Sequence, residues 1–264
     1  MLLLLLKGGV MILPRAARKI STTETYHIMI RGINRAVIFD DKNDKNKFLE
    51  IMLDTKEETN FELYAYCLMD NHAHFLIKEN EISISFIMKK ICGKYAAWYN
   101  YQHHRVGHLF QDRFKSECVE TNSYFFMVLK YILNNPVKGK VVENPRDYRW
   151  SSYHEYINKS FLTDTRFFLD MLHNDKIKAV DLFVKELNKE ELEPICLNID
   201  NVKRTDIEAE EIINTEMRIQ GIKAIGEISV EKRILLIKTL KSKGLTNNQI
   251  IKSTGLSKSK VIGI

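Results

Sequence analysis

The stretch Met69-Asp70-Asn71-His72-Ala73-His74-Phe75-Leu76-Ile77 sets two imidazoles one residue apart at the head of an apolar run. In a β-strand successive side chains alternate faces, so His72 and His74 point one way while Ala73, Phe75 and Ile77 point the other. Two imidazoles on one face can chelate a divalent cation. Such a cation needs at least one further ligand and keeps open positions at which a phosphate oxygen is polarised. To cut a phosphodiester it also needs a nucleophile. Water makes the site a hydrolase, whereas a side-chain hydroxyl makes a covalent intermediate that conserves the phosphodiester energy. Tyr124, at the start of a helix after the fourth expected strand, is a candidate for that hydroxyl. For the histidine pair alone, a half-buried strand with two decorative imidazoles is the simpler alternative.

Periodicity defines the elements that must carry these groups. Residues 24–32 are β-prone, with Tyr26, Ile28 and Ile30 alternating with His27, Met29 and Arg31. Residues 41–59 place Phe48, Ile51, Met52 and Thr55 at helical spacing, and Asn60 stops that helix. Residues 61–68 and 73–78 pair as strands across a tight turn at 69–71, which puts the histidines at the head of a central strand. Residues 82–101 form a second amphipathic helix, with Ile84, Ile87, Met88, Ile91 and Tyr95 opposite Lys89, Lys90 and Lys94. A fourth strand follows at 114–120, then a helix at 124–134 capped by Asn122 or Ser123 and ended by Asn135-Pro136. Strand-helix-strand twice over, with a hairpin between, predicts an α+β chain built on a ferredoxin-like split βαβ domain.

The rest of the chain is helical in pattern. Residues 160–215 are acidic, with Phe167, Phe168, Met171 and Leu172 as a core stripe. Residues 229–264 carry two periodic segments, a turn through Gly255 and a short basic helix capped by Ser257, which predicts a helix-turn-helix. A small three-helix bundle for protein contacts is the alternative. The expected organisation is an N-terminal extension over 1–20, the α+β domain over 21–158, a helical connector over 159–228 and a helix-turn-helix-like DNA-binding domain over 229–264.

At 264 residues the chain can bury a sizeable core and a second smaller one, and its formal net charge of +6 suits an anionic partner. A basic segment runs from His103, His104 and Arg105 through His108 and Phe110 to Arg113, Phe114 and Lys115, combining cations for a phosphate backbone with aromatics for base stacking. Arg31 and Arg35 follow the first strand. Arg31, Arg35, Arg105, Arg113 and Lys115 are the expected DNA contacts, and a solvated loop is the alternative for each alone. Cys67, Cys92, Cys118 and Cys196 form no Cys-x-x-Cys pair, which argues against a zinc ribbon or disulfide framework and fits a cytoplasmic setting. The leucines at 2–6 are too few to span a membrane. Lys7-Gly8-Gly9-Val10 reads as a translated ribosome-binding tract, with Met11 the expected start.

The histidine-hydrophobe-histidine stretch resembles the motif of HUH endonucleases. Gly107-His108-Leu109-Phe110-Gln111-Asp112-Arg113-Phe114-Lys115-Ser116, Tyr131-Ile132-Leu133-Asn134-Asn135-Pro136-Val137 and Tyr148-Arg149-Trp150-Ser151-Ser152-Tyr153 resemble, in that order, the signature blocks of REP-associated tyrosine transposases. The resemblance spans residues 24–156. It implies a single-strand DNA endonuclease and strand transferase in which His72 and His74 bind Mg²⁺ or Mn²⁺ and one tyrosine attacks the scissile phosphate. By motif position that tyrosine is Tyr124, with Tyr131 the weaker candidate. The implied partners are single-stranded or hairpin DNA and a second copy of the chain, since one copy's tyrosine could serve the other's histidines. Family enzymes can take a third metal ligand from the tyrosine helix, but one turn beyond Tyr124 stands Val128, which cannot ligate. Gln111, Glu117 and Glu120 are the oxygen donors nearby in sequence. Asp70 and Asp112 stand where the family commonly has proline and glycine. A non-catalytic DNA-binding regulator acting through the C-terminal helices is the alternative function.

Overall fold

The computed structural model describes residues 18–189, 206–222, 225, 228–242 and 245–262. Met11 as the start, most of the extension over 1–20, and Cys196 lie outside the described residues. Four strands, β1 (Thr25–Arg31), β2 (Glu62–Met69), β3 (His72–Lys78) and β4 (Lys115–Cys118), form one antiparallel sheet in the order β2-β3-β1-β4. Helices α1 (Lys42–Thr59) and α2 (Ile84–Gln102) fill the two crossovers, so the β-α-β-β-α-β connectivity is the one that periodicity predicts. β1 and β3 are the central pair.

Alternation gives the sheet two unlike faces. Tyr26, Ile28, Ile30, Phe75 and Ile77 pack with Phe48 and Met52 of α1 and Ile87, Ile91 and Tyr95 of α2. Local signals set these helices: Asp41 and Asp44 form a capping box for α1, Ser83 caps α2, and Asn60 ends α1 in the left-handed region at φ 52°.

The other face is covered by α3 (Asn122–Leu133) and the helices after it, α4 (Asn135–Lys138), α5 (Tyr153–Ile157), α6 (Thr165–Leu172) and α7 (Lys176–Leu187). Thr121, rather than Asn122 or Ser123, is the cap of α3. Its backbone is still extended, and its hydroxyl accepts from the Tyr124 amide at 3.2 Å. Asn135-Pro136 does not end the chain's helical course; it opens α4. Phe168 of α6 and Phe183 of α7 join the same core as Leu76, Phe125 and Leu129, so these two helices complete that core. The chain forms two compact units, Met1–Leu197 and Asn198–Ile264, which divides the segment expected as a connector.

β2 would be an exposed edge, and residues 148–153 cover it. Leu68 donates to the Trp150 carbonyl at 2.9 Å, Ser152 donates to the Tyr66 carbonyl at 3.0 Å, and the Tyr148 hydroxyl donates to the Leu68 carbonyl at 2.6 Å. Capping the edge this way removes a template for aggregation. Glu155, buried just beyond, accepts from the amides of Phe161, Leu162 and Thr163 at 3.0, 2.9 and 2.8 Å and from the Tyr66 hydroxyl at 3.1 Å.

In the second unit α8 (Asp206–Ile219), α9 (Val230–Ser242), α10 (Asn247–Thr254) and α11 (Lys258–Ile262) share a core of Ala209, Ile213, Leu236, Leu240, Ile250 and Val261. Thr246 and Gln249 form a capping box for α10, and Gly255 ends it at φ 68°, where a side chain would be strained. Among the described residues no helix is long and apolar enough to cross a membrane.

Glu155→Ala leaves several buried donors without their acceptor, each worth about 1–3 kcal/mol. Urea unfolding should therefore show a loss of about 3 kcal/mol or more with the m-value unchanged. A loss below about 1 kcal/mol would mean that the clip does not depend on this carboxylate.

Candidate active site

The register of β1 on β3 brings Met29 opposite His74 and Arg31 opposite His72, so both histidines share a sheet face with His27, Met29 and Arg31. His74 and His27 are fully buried. His27 Nε2 and His74 Nδ1 are 2.9 Å apart, and the two rings are tilted at 5.1 Å between centroids. Burial disfavours the charged imidazolium, pulling His27 down to about 3. The same burial, with the neighbouring His27 and His72 imidazoles and the Arg31 guanidinium all disfavouring a further positive charge, holds His74 well below the ordinary imidazole range. Both are therefore neutral at physiological pH, the form that ligates a metal.

His72 is held at the hairpin turn. Its Nδ1 lies 2.6 Å from Asn71 Oδ1. The turn is pinned in its own right: the Gly32 amide donates to the Asn71 carbonyl at 3.0 Å, and a Cβ on Gly32 would fall 2.1 Å from the Ala36 carbonyl oxygen. Only glycine fits there. Asp70 does not turn its charge to the histidines, because its carboxylate pairs with Lys45 at 2.8 Å.

Helix α3 crosses this face from the Lys78 end of the sheet toward the His72 end. Asn122 and Phe125 line a cleft with Thr25, Tyr64 and Lys78, while at the other end Asn135 Oδ1 lies 3.1 Å from His72 Nε2. Tyr131 is buried with its ring edge-on to His74 at 5.4 Å and to His27 at 5.7 Å. Tyr124 lies two turns earlier, about 10 Å along the helix, and packs at the margin of the core that includes Phe125 and Tyr64. Of the two candidate tyrosines, Tyr131 has its ring against both His27 and His74. One turn beyond it stands Asn135, an oxygen donor, where Val128 stands one turn beyond Tyr124.

The donor set fits a small divalent cation. His74 Nε2 is buried with no hydrogen-bond partner among the described residues, and an orphaned imidazole nitrogen is costly unless it serves a ligand. His72 Nε2 and Asn135 Oδ1 stand 3.1 Å apart. Neighbouring ligands of an octahedral ion, with bonds of about 2.1 Å, are separated by about 3.0 Å. His72, His74 and Asn135 could thus hold Mg²⁺ or Mn²⁺. Among the described residues no three His, Cys, Asp or Glu side chains cluster to hold a metal, and the side-chain oxygen beside His72 Nε2 is that of an amide, Asn135 Oδ1. Of the acidic candidates, Glu120 is engaged with the amide and hydroxyl of Thr22. Glu117 sits opposite His27 on β4, on the histidine face. Gln111 is exposed, and its backbone N–H donates to the Arg31 carbonyl at 2.9 Å.

Of the expected DNA contacts, Arg31 and Lys115 share the histidine face. Arg35 is exposed on the loop after β1 at φ 60°, and the Asn71 amide nitrogen donates to its carbonyl at 3.4 Å. Arg113 is exposed in the segment before β4. Arg105 instead packs over the Tyr99 ring at 5.7 Å, at the end of α2. His27 and Asn135 lie beside the histidine pair although motif spacing did not single them out, and alternation already put His27 on the polar side of β1.

In the unfolded chain both buried imidazoles titrate near 6.5. Folded, they stay neutral, so below that pH the unfolded state binds more protons and stability is lost as pH falls. Each contributes a slope of about 1.4 kcal/mol per pH unit below about 6.5. Urea titrations in chelator between about pH 5 and about pH 7.5 should show this decline, and His27→Leu should reduce it. An unchanged slope in the variant would mean that His27 is not held neutral.

The IS200-like transposase family matches residues 21–135, a segment that contains His72, His74, Tyr131 and Asn135. A candidate REP-associated tyrosine transposase of Haemophilus influenzae is 30% identical over 122 residues, covering 41% of this chain and 68% of the relative. Among solved structures, a REP-associated tyrosine transposase bound to a REP hairpin matches with a TM-score of 0.47 at 18% identity, over 58% of this chain and 94% of that one. A candidate transposase of Deinococcus radiodurans R1 matches with a TM-score of 0.33 at 19% identity, over 46% of this chain and 97% of that one. Similarity over two thirds of the Haemophilus relative, with the histidine pair on its strand and a tyrosine helix against it, makes this chain a member of the REP-associated tyrosine transposase family.

Proposed function

We propose that the chain cleaves and rejoins single-stranded DNA, with Tyr131 as the nucleophile and His72, His74 and Asn135 as the ligands of Mg²⁺ or Mn²⁺. One line of side chains carries this reading: Tyr131 lies against His74, and Asn135, one helical turn on, meets His72. Asn135 opens α4 directly after Asn134, the C-cap of α3, so only a short connection separates nucleophile and ligand. Tyr124 lies two turns away, which is why Tyr131 is preferred to it here.

When bound, the cation polarises a phosphate oxygen and offsets charge that develops on it. The Tyr131 hydroxyl oxygen attacks the scissile phosphorus and gives up its proton, a P–O bond to tyrosine forms, and the bond to the 3′ oxygen breaks, that oxygen taking up a proton. The products are a 5′-phosphotyrosine and a free 3′-OH. Attack by a 3′-OH on the phosphotyrosine reverses the step and joins strands without an external energy source. Arg31 and Lys115 hold backbone phosphates near the site, Arg35 and Arg113 extend that track, and Arg105 lies at its edge. Helices α9, α10 and α11 serve as a helix-turn-helix that adds duplex or hairpin affinity.

Incubation of the purified chain with a labelled hairpin-forming single strand and Mn²⁺ should give a detergent-stable covalent adduct. Tyr131→Phe should reduce the adduct to background while Tyr124→Phe retains most of it. The opposite pattern would move the nucleophile to Tyr124. Cleavage that survives loss of both hydroxyls would mean attack by water, and metal-independent binding without cleavage would favour a non-catalytic regulator.

A further inference from the structure

We infer that His27 is a positioning residue for the metal site: it accepts the Nδ1 proton of His74 and so leaves His74 Nε2 as a bare lone pair. This rests on the metal reading of the preceding section. His27 Nε2 and His74 Nδ1 are 2.9 Å apart, both residues are fully buried, and neither His27 Nδ1 nor His74 Nε2 has another partner among the described residues. Two neutral imidazoles in this arrangement share one proton in one of two ways. If His27 Nε2 donates, His74 carries its proton on Nε2 and cannot ligate through it. If His74 Nδ1 donates, Nε2 is free, and His27 carries its own proton on Nδ1. Only the second arrangement is a metal ligand.

The surroundings hold His27 in place for this task. It sits on central strand β1 between Met29 and Thr25 on the same face, opposite Leu76 of β3 and Glu117 of β4, with Tyr131 edge-on to its ring at 5.7 Å. A purely apolar side chain would fill this position without burying an unpaired nitrogen. The second metal histidine is treated alike, since Asn71 Oδ1 lies 2.6 Å from His72 Nδ1 and leaves its Nε2 facing Asn135. Partners of this kind fix the tautomer and ring orientation of ligating histidines.

Long-range proton–nitrogen NMR correlations on the metal-free chain read the tautomer directly. Wild type should show His74 protonated on Nδ1, His27→Leu should shift the proton to Nε2, and His27→Gln, whose amide oxygen can accept, should keep it on Nδ1. Calorimetric titration with Mn²⁺ should show affinity reduced about 10–100-fold in His27→Leu and largely restored in His27→Gln. His74 protonated on Nε2 in the wild type, which needs no variant, or unchanged Mn²⁺ affinity in a folded His27→Leu, would overturn the inference. His72→Ala tests the metal reading separately: if it binds Mn²⁺ like wild type, that reading fails while the tautomer result stands by itself.

Discussion

The antiparallel register of β1 against β3 is the constraint on which the site depends. Side chains alternate with a period of two, so a slip by one residue would turn His72 and His74 into the face packed by α1 and α2. Two large apolar sets resist that slip. Tyr26, Ile28, Ile30, Phe75 and Ile77 are committed to one core, and Leu76 and Val119 to the other. The two-residue connection at Asp70 and Asn71 then sets His72 as the first residue of β3, with the Gly32 turn bonded to it. Position at the site is thus a consequence of core packing on both sides of the sheet.

The second face does more than hold histidines. Helix α3 is amphipathic toward the sheet, and its apolar residues Phe125, Val128, Leu129 and Ile132 are also those that α6 and α7 help to bury. The same packing that stabilises the helix therefore sets Tyr131 and Asn135 at the histidines. Residues 148–153 contribute indirectly, by clipping the outer edge of β2, the strand whose Cys67 lies opposite His74. A block that resembles a family signature here acts on the fold, through the backbone of β2.

Much of this was legible in the residues. Alternation along 24–32 and 61–78 and the helical periods of 41–59 and 82–101 specify connectivity, because those segments bury one face and expose the other. The histidine pair is legible for the same reason. Helix α3 was harder. It carries two tyrosines seven residues apart, which lie on one face, and spacing cannot say which of them meets the sheet at the histidines. That depends on where α3 crosses the strands, a tertiary property set by the Thr121 cap and the core under Phe125. His27 was hidden in the same way: its alternation was visible, but its distance to His74 depends on pairing between strands 47 residues apart. The packing of α6 and α7 onto the sheet is likewise not legible in the residues, because a periodic helix does not announce which surface covers its apolar stripe.

The proposed metal site joins His72, His74 and Asn135 beside Tyr131. Anomalous diffraction from crystals of the chain soaked in Mn²⁺ tests it most directly. A single strong peak is expected within ligand distance of His72 Nε2, His74 Nε2 and Asn135 Oδ1, with the Tyr131 hydroxyl facing it. A peak that involves the histidines but lies beside Tyr124, or no peak at the histidines at saturating Mn²⁺, would contradict it.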